Sequence, residues 1–290
     1  MPARIRYGRL PTEQLHPRTK SLDRLPITTL LRLMNAEDAR VIRAVGRARP
    51  QVARGIHVIA TSLHRGGRLL FIGAGTSGRL GIIEAAECPT TFHTNPDTIQ
   101  AIMAGGRQAV FRSREGAEDR RDEANAIIRR RARPGDVVVG ISASGVTPFV
   151  EAGLRQAARR GAATILITCH PRSAIPADLR IALRVGPEIL AGSTRLKAGT
   201  ATKLVLNMLT LGAMIRLGKT HGNLMADVKP TSNKLRARAV RIIQSVARCS
   251  KRDAARALAA SRGQTRCAAL MASRGLTYAA ARRLLRKSPR

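Results

Sequence analysis

Two short runs place hydroxyls where a strand-like segment turns into a helix-like one: GAGTSG at Gly73–Gly78 and SASGVT at Ser142–Thr147. In the first, Gly73, Gly75 and Gly78 spell G-x-G-x-x-G after an apolar run. That spacing suits a dinucleotide pyrophosphate seated on a helix N-terminus. A dinucleotide site also needs an acid about 20 residues on, at the end of the second strand. Here that end reads IMAGG, and Asp97 precedes the strand instead of closing it. No G-K-[ST] follows, which excludes a P-loop. What remains is a tight turn carrying Thr76 and Ser77 ahead of Gly78, a seat for a dianionic phosphate. The second run supplies Ser142, Ser144, Gly145 and Thr147 at another strand-to-helix junction. One such loop is explained equally well as a helix cap. Two, at the carboxyl ends of parallel strands, can converge on one phosphomonoester.

Acid–base candidates are few, because the 290 residues include only 18 carboxylates. Glu87 lies where the first helix runs into Cys88-Pro89, a place that also suits an ordinary helix-terminal surface acid. Glu118 stands in EGAED, and Glu115, Asp119, Asp122 and Glu123 in and just after that run could equally complement a helix dipole. Arg195 and Lys197, in GSTRLKAG, precede a long apolar helix. A cation there can meet a phosphate or a carboxylate, arginine bidentately, or can be solvated surface. No H-E-x-x-H or cysteine cluster is present, so no metal and no cofactor is expected. Cys88, Cys169, Cys249 and Cys267 form no C-x-x-C pair and suit reduced thiols of a cytoplasmic protein.

The elements that must carry these residues alternate. Residues 1–26 read as an extended polar arm, followed by helices over about 27–45 and 51–64. Strands are expected at 68–72, 98–103, 137–142, 163–168 and 179–185, with helices at 77–86, 116–133 and 148–160 between them. This alternation predicts an α/β fold, a three-layer sandwich around a parallel sheet. An apolar helix at 199–217 follows, then a run of short helices broken near Ser250, Gly263 and Gly275. The expected organisation is an N-terminal arm and helix (1–50), a phosphate-binding domain (51–231) and a helical C-terminal module (232–290). No apolar run approaches the roughly 18 residues of a membrane span, and no secretory signal opens the chain.

The formal charge of +34 comes almost entirely from arginine, 44 Arg against 8 Lys. Residues 234–290 carry 16 basic groups and one acid, Asp253. Such a segment can contact a polyanion weakly and non-specifically by counterion release, or be a solvated surface. Tryptophan is absent and aromatics are 2%, which argues against base-stacking nucleic-acid recognition.

GAGTSGR with ASGVT resembles the sugar isomerase (SIS) domain, a phosphosugar-binding fold. TEQLHPRT, LMNAEDA, GAGTSGRLG, AAECPTTF, EGAED, GISASGVTPFV, GSTRLKAGTATKLVLNM and GNLMADVKPT, in order from Thr12 to Thr231, resemble the N-acetylmuramic acid 6-phosphate etherases. The resemblance implies a lyase that releases D-lactate from a phosphorylated amino sugar, with Glu87 as proton donor and Glu118 as the second catalytic glutamate. One SIS unit per chain resembles half of a paired arrangement and implies a homodimer. Other SIS proteins are phosphosugar sensors or aldose–ketose isomerases, and release of D-lactate separates the lyase from both. Two departures from the family pattern stand out: Val146 replaces an arginine, and ECPPTFG has become ECPTTFH with Thr90 and His93. His16, His93 and His221 also lie where the family usually has other residues.

Overall fold

The computed structural model describes residues 7–287. Helices α1 (Ile27–Arg47) and α2 (Arg49–His64) lead into strand β1 (Leu69–Gly73), α3 (Gly75–Phe92), β2 (Ile99–Met103) and a short α4 (Gln108–Phe111). Then come α5 (Arg121–Arg131), β3 (Val137–Ile141), α6 (Pro148–Arg159), β4 (Ala163–Thr168), β5 (Leu179–Ala182) and α7 (Lys197–Arg216). Four further helices end the chain: α8 (Asn233–Ala247), α9 (Lys251–Ala260), α10 (Thr265–Arg274) and α11 (Tyr278–Lys287).

The five strands form one parallel sheet in the order β2-β1-β3-β4-β5. All five residues of β1 and of β3 are buried, so both faces of the sheet are covered. Alternate side chains define the layers. Leu70, Ile72, Val138 and Leu166 enter one core with Ala124 and Ile128 of α5 and Phe149, Leu154 and Ala157 of α6. On the other face, a Cβ on Gly81 of α3 would stand 2.9 Å from Cβ of Phe71. One on Gly55 of α2 would stand 2.8 Å from Leu209 of α7 and 3.6 Å from Ile181 of β5. The expected three-layer α/β sandwich is therefore present.

By internal contacts the chain divides into two compact units, residues 1–85 with 97–210, and residues 86–96 with 211–290. Helices α3 and α7 each begin in the first and end in the second. The second unit has its own apolar core, in which Val228 meets Ala239, Ile242 and Ile243 of α8, Ala254 and Leu258 of α9 and Ala268 of α10. Ser232 and Ser250 cap α8 and α9 by accepting the N–H of Leu235 and Asp253. Gly275 closes α10 in the left-handed conformation.

Several expectations need revision. Residues 1–6 of the expected arm lie outside the described residues, but residues 7–26 are not extended. They coil into 3-10 turns at Tyr7–Arg9 and Leu22–Arg24 and bury Leu10, Thr12 and His16. The helix expected over 116–133 starts later, because Gly116 and Arg120 break the chain around a 3-10 turn at Ala117–Asp119. Helix α3 continues past its expected end, through Pro89 to Phe92. Helix α7 is long and apolar enough to cross a membrane, with a mean hydropathy of 1.3 over its best window, although Lys203 and Asn207 interrupt the run in sequence. More than half of that window, 56%, is buried, as in the core helix of a folded domain.

Candidate functional site

Strands β1 and β3 are neighbours, and Gly73 pairs with Ile141 at their carboxyl ends. The two hydroxyl loops therefore leave the same edge of the sheet side by side, as ligand loops do in open α/β folds. The first loop is shaped by glycine. A Cβ on Gly78 would lie 2.7 Å from the Gly73 carbonyl oxygen, and one on Gly73 would lie 2.8 Å from the Gly78 nitrogen. Gly75 has φ +54°, which a side chain would strain. Thr76 and Ser77 are half-buried, and their hydroxyls make no hydrogen bond among the described residues. These two donors stand uncommitted at the start of α3.

The second loop is shaped by side chains. Ser142 is buried, its Oγ lies 2.8 Å from Thr147 Oγ1, and it accepts the Gly145 N–H at 3.1 Å. Ser173 donates to the Gly145 carbonyl at 2.6 Å. The His170 ring nitrogen Nδ1 lies 3.2 Å from the Ser144 carbonyl oxygen, and Gly145 sits at φ +71°. Of the three hydroxyls expected here, Ser142 and Thr147 thus hold each other. Ser144 Oγ has only a long contact, accepting the Val146 N–H at 3.4 Å. Ser173 and His170 were not among the candidates, although their place just beyond β4 puts them at the same sheet edge.

The start of α7 lies against the first loop, since a Cβ on Gly199 would fall 3.7 Å from Thr76 Cγ2. Arg195 is exposed there. Lys197 is only 2% exposed and gives its ammonium to Glu37 Oε2 at 2.7 Å. Glu37 also meets Arg18 at 2.7 Å, Arg40 at 3.1 Å and His16 at 3.3 Å. Burial opposes ionisation of this carboxyl, but the hydrogen bonds from Lys197 and Arg18 and the surrounding charges outweigh it and hold its pKa at about 2. Glu188, itself buried, accepts the backbone N–H groups of Lys197 and Ala198 at 3.0 and 2.9 Å. The protein's own carboxylate thus occupies the N-terminus of α7. Burial raises the Glu188 pKa against those two bonds. A third buried acid, Glu84 of α3, accepts from Lys203 at 2.5 Å and from the Thr210 hydroxyl. Sequence spacing gave no sign of the pairings of Glu37 with Lys197 or of Glu84 with Lys203 and Thr210, which join residues more than 100 positions apart.

The two candidate glutamates are exposed. Glu118 belongs to the first unit, on the 3-10 turn after β2, where the Arg114 side chain holds the chain by donating to the Gly105 carbonyl at 3.2 Å. Glu87 belongs to the second unit, near the end of α3, and its carbonyl accepts the Thr90 hydroxyl at 3.0 Å.

A family model described as "SIS domain" matches residues 123–212, and one described as "Glucokinase regulatory protein N-terminal SIS domain" matches residues 51–158. The sheet with its paired hydroxyl loops is that of a SIS domain. Three relatives bear the name N-acetylmuramic acid 6-phosphate etherase. That of Gloeobacter violaceus is 52% identical over 255 residues, covering 87% of this chain and 83% of its own. That of Microcystis aeruginosa is 48% identical over 283 residues, 97% of this chain and 92% of its own. That of Crocosphaera subtropica is 50% identical over 254 residues, 87% and 83% of the two chains. The chain belongs to the N-acetylmuramic acid 6-phosphate etherase family. Among solved structures, a phosphoheptose isomerase from Francisella tularensis superposes with a TM-score of 0.49 at 14% identity, over 65% of this chain and 98% of its own.

Proposed function

We propose that the protein is a carbon–oxygen lyase that cleaves the D-lactyl ether of N-acetylmuramic acid 6-phosphate by elimination and rehydration, giving N-acetylglucosamine 6-phosphate and D-lactate. The observation that carries this reading is the pair of adjacent loops with uncommitted hydroxyls on Thr76, Ser77 and Ser144, in a chain of this family. These hydroxyls and the loop amides grip the 6-phosphate, and exposed Arg195 meets the phosphate or the lactyl carboxylate. Ser142, Gly145 and Thr147 hold the second loop in shape. Lys197, turned inward to Glu37, fixes the segment that presents Arg195.

The ether bond lies β to the C1 aldehyde of the open-chain sugar. Glu118 removes the C2 proton, the resulting enolate expels the C3 oxygen, and Glu87 protonates it so that D-lactate leaves. Water then adds at C3 and a proton returns to C2, so that one water is consumed overall. Acid and base work are divided between the two carboxyls in this way. The protein acts in amino-sugar catabolism or cell-wall recycling in the cytoplasm, where its four free cysteines stay reduced. Its active form is a homodimer, and exposed Leu211 and Ile215, one turn apart on α7, offer apolar surface to a second copy.

The test is D-lactate release from the phosphorylated muramic sugar, run beside exchange of the C2 proton in deuterium oxide. Glu118→Gln should abolish both, whereas Glu87→Gln should keep exchange while lactate release falls about 10²–10⁴-fold. Exchange lost in Glu87→Gln and retained in Glu118→Gln would reverse the two roles. A wild-type protein that releases no lactate ends the proposal.

A further inference from the structure

On the β4–β5 side of the first unit, a cavity of about 500 Å³ is lined by Arg9, Arg172 and Arg184 together with Gln14 and His170. The three arginines come from distant parts of the chain: the 3-10 turn near the N-terminus, the segment after β4 and the segment after β5. All three are exposed, and among the described residues none bonds a carbonyl or pairs with a carboxylate. Other exposed arginines of the first unit, such as Arg43, Arg54 and Arg107, also lack such partners, but these three line one cavity, while a further set is engaged. Arg18 and Arg40 are engaged by Glu37, Arg68 by Asp136, and Arg121 and Arg155 by Glu151. Arg79 is engaged by the carbonyls of Ala109 and Val110. No acid lines the cavity.

The remaining lining residues carry no negative charge. Pro11 and Pro171 are apolar. Burial, with the Glu188 charge nearby, pushes the Cys169 thiol up to about 12, so it stays neutral. Three like charges around one concavity focus a positive potential into it and repel one another until an anion enters. A diphosphate carries about three negative charges near neutral pH and offers several acceptor oxygens that planar guanidinium forks can bond in pairs. The volume exceeds what a diphosphate fills and lies within the about 300–1,000 Å³ typical of small-molecule sites.

We propose that this cavity is a binding site for a small diphosphate-bearing anion, separate from the sugar-phosphate loops. The hydroxyls of Thr76, Ser77 and Ser144 do not line it. His170 is shared: it forms part of the wall, and its Nδ1 contacts the Ser144 carbonyl. An anion held there sits one side chain away from the second hydroxyl loop.

Inorganic pyrophosphate is the probe, titrated by calorimetry into the full-length protein at about 0.15 M salt, where exposed charges are screened beyond about 8 Å. One equivalent should bind, and the double variant Arg172→Ala/Arg184→Ala should weaken it at least about tenfold. Both side chains are exposed, so the melting temperature of this variant should not change. Replacing Arg241, Arg252 and Arg283, three exposed arginines of the second unit, by alanine should leave the affinity as it is. Ser77→Ala, which removes a hydroxyl of the sugar-phosphate loop, should also leave it as it is. Equal loss in the second-unit variant would mean diffuse charge, and loss in Ser77→Ala would mean that pyrophosphate occupies the sugar-phosphate seat. Either result, or no binding, overturns the proposal.

Discussion

The first hydroxyl loop and the start of α7 lie against each other, yet they use their polar groups in opposite ways. At Thr76 and Ser77 the hydroxyls are left uncommitted, and glycine backbone alone sets the shape. At the start of α7 the buried groups are committed: Lys197 to Glu37, Glu37 also to Arg18, Arg40 and His16, and the helix amides to Glu188. The contrast separates ligand recognition from anchorage. Groups whose bonding capacity is open can receive a ligand, and groups closed by their neighbours hold the receiver still. The second loop lies between these extremes, with Ser142 and Thr147 closed on each other and Ser144 nearly open.

The harshest test of the anchored side is Lys197→Met. Removing one partner of a buried ion pair typically costs about 3–5 kcal/mol, because the other charge stays buried. Denaturant titration should show a loss of that order, and a loss below about 1 kcal/mol would mean that the remaining cations suffice for Glu37. Acid probes the same cluster without mutation. The Glu37 pKa falls on folding from 4.5 to about 2, so its stabilisation is complete above about 4.5 and disappears as the pH drops towards 2. Glu188 is shifted upwards and has the opposite sign: its contribution is complete below its unfolded pKa and lost as the pH rises through its folded one. Glu37→Gln should therefore flatten the decline of melting temperature below about pH 4.5, and an unaltered acid limb would refute the assignment.

Smaller effects should divide the two loops. Ser142→Ala leaves Thr147 and the Gly145 N–H without their partner and should cost about 1–3 kcal/mol in stability. Ser77→Ala removes a hydroxyl that no described residue uses. It should leave the melting temperature unchanged while weakening the sugar 6-phosphate about tenfold in calorimetry, equivalent to about 1.4 kcal/mol. A stability loss in Ser77→Ala as large as in Ser142→Ala would erase the distinction between the loops.

What could be read from the sequence follows this same division. Strands β1, β3 and β4 were plain because short apolar runs bounded by glycine or proline leave little alternative, and the two loops were plain because a glycine turn between strand and helix is local chemistry. The anchors were not. Glu37 and Lys197 are 160 residues apart, and nothing near either one announces the other. The polar arm looked extended because its few apolar side chains carry no period, whereas burial of Leu10, Thr12 and His16 depends on what they meet after folding. Ser142 and Thr147 were identified as loop residues, but only coordinates could reveal that they bond each other.

Pro89 gives helix α3 a mechanical character that its length conceals. Having no N–H, it leaves the Ala85 carbonyl without a helical donor, and its ring crowds that carbonyl. The first hydroxyl loop opens this helix, and Glu87 lies within the turn from Ala85 to Pro89 that lacks the bond. Helix α3 thus keeps its helical form through to Phe92 with one backbone bond fewer than its length allows.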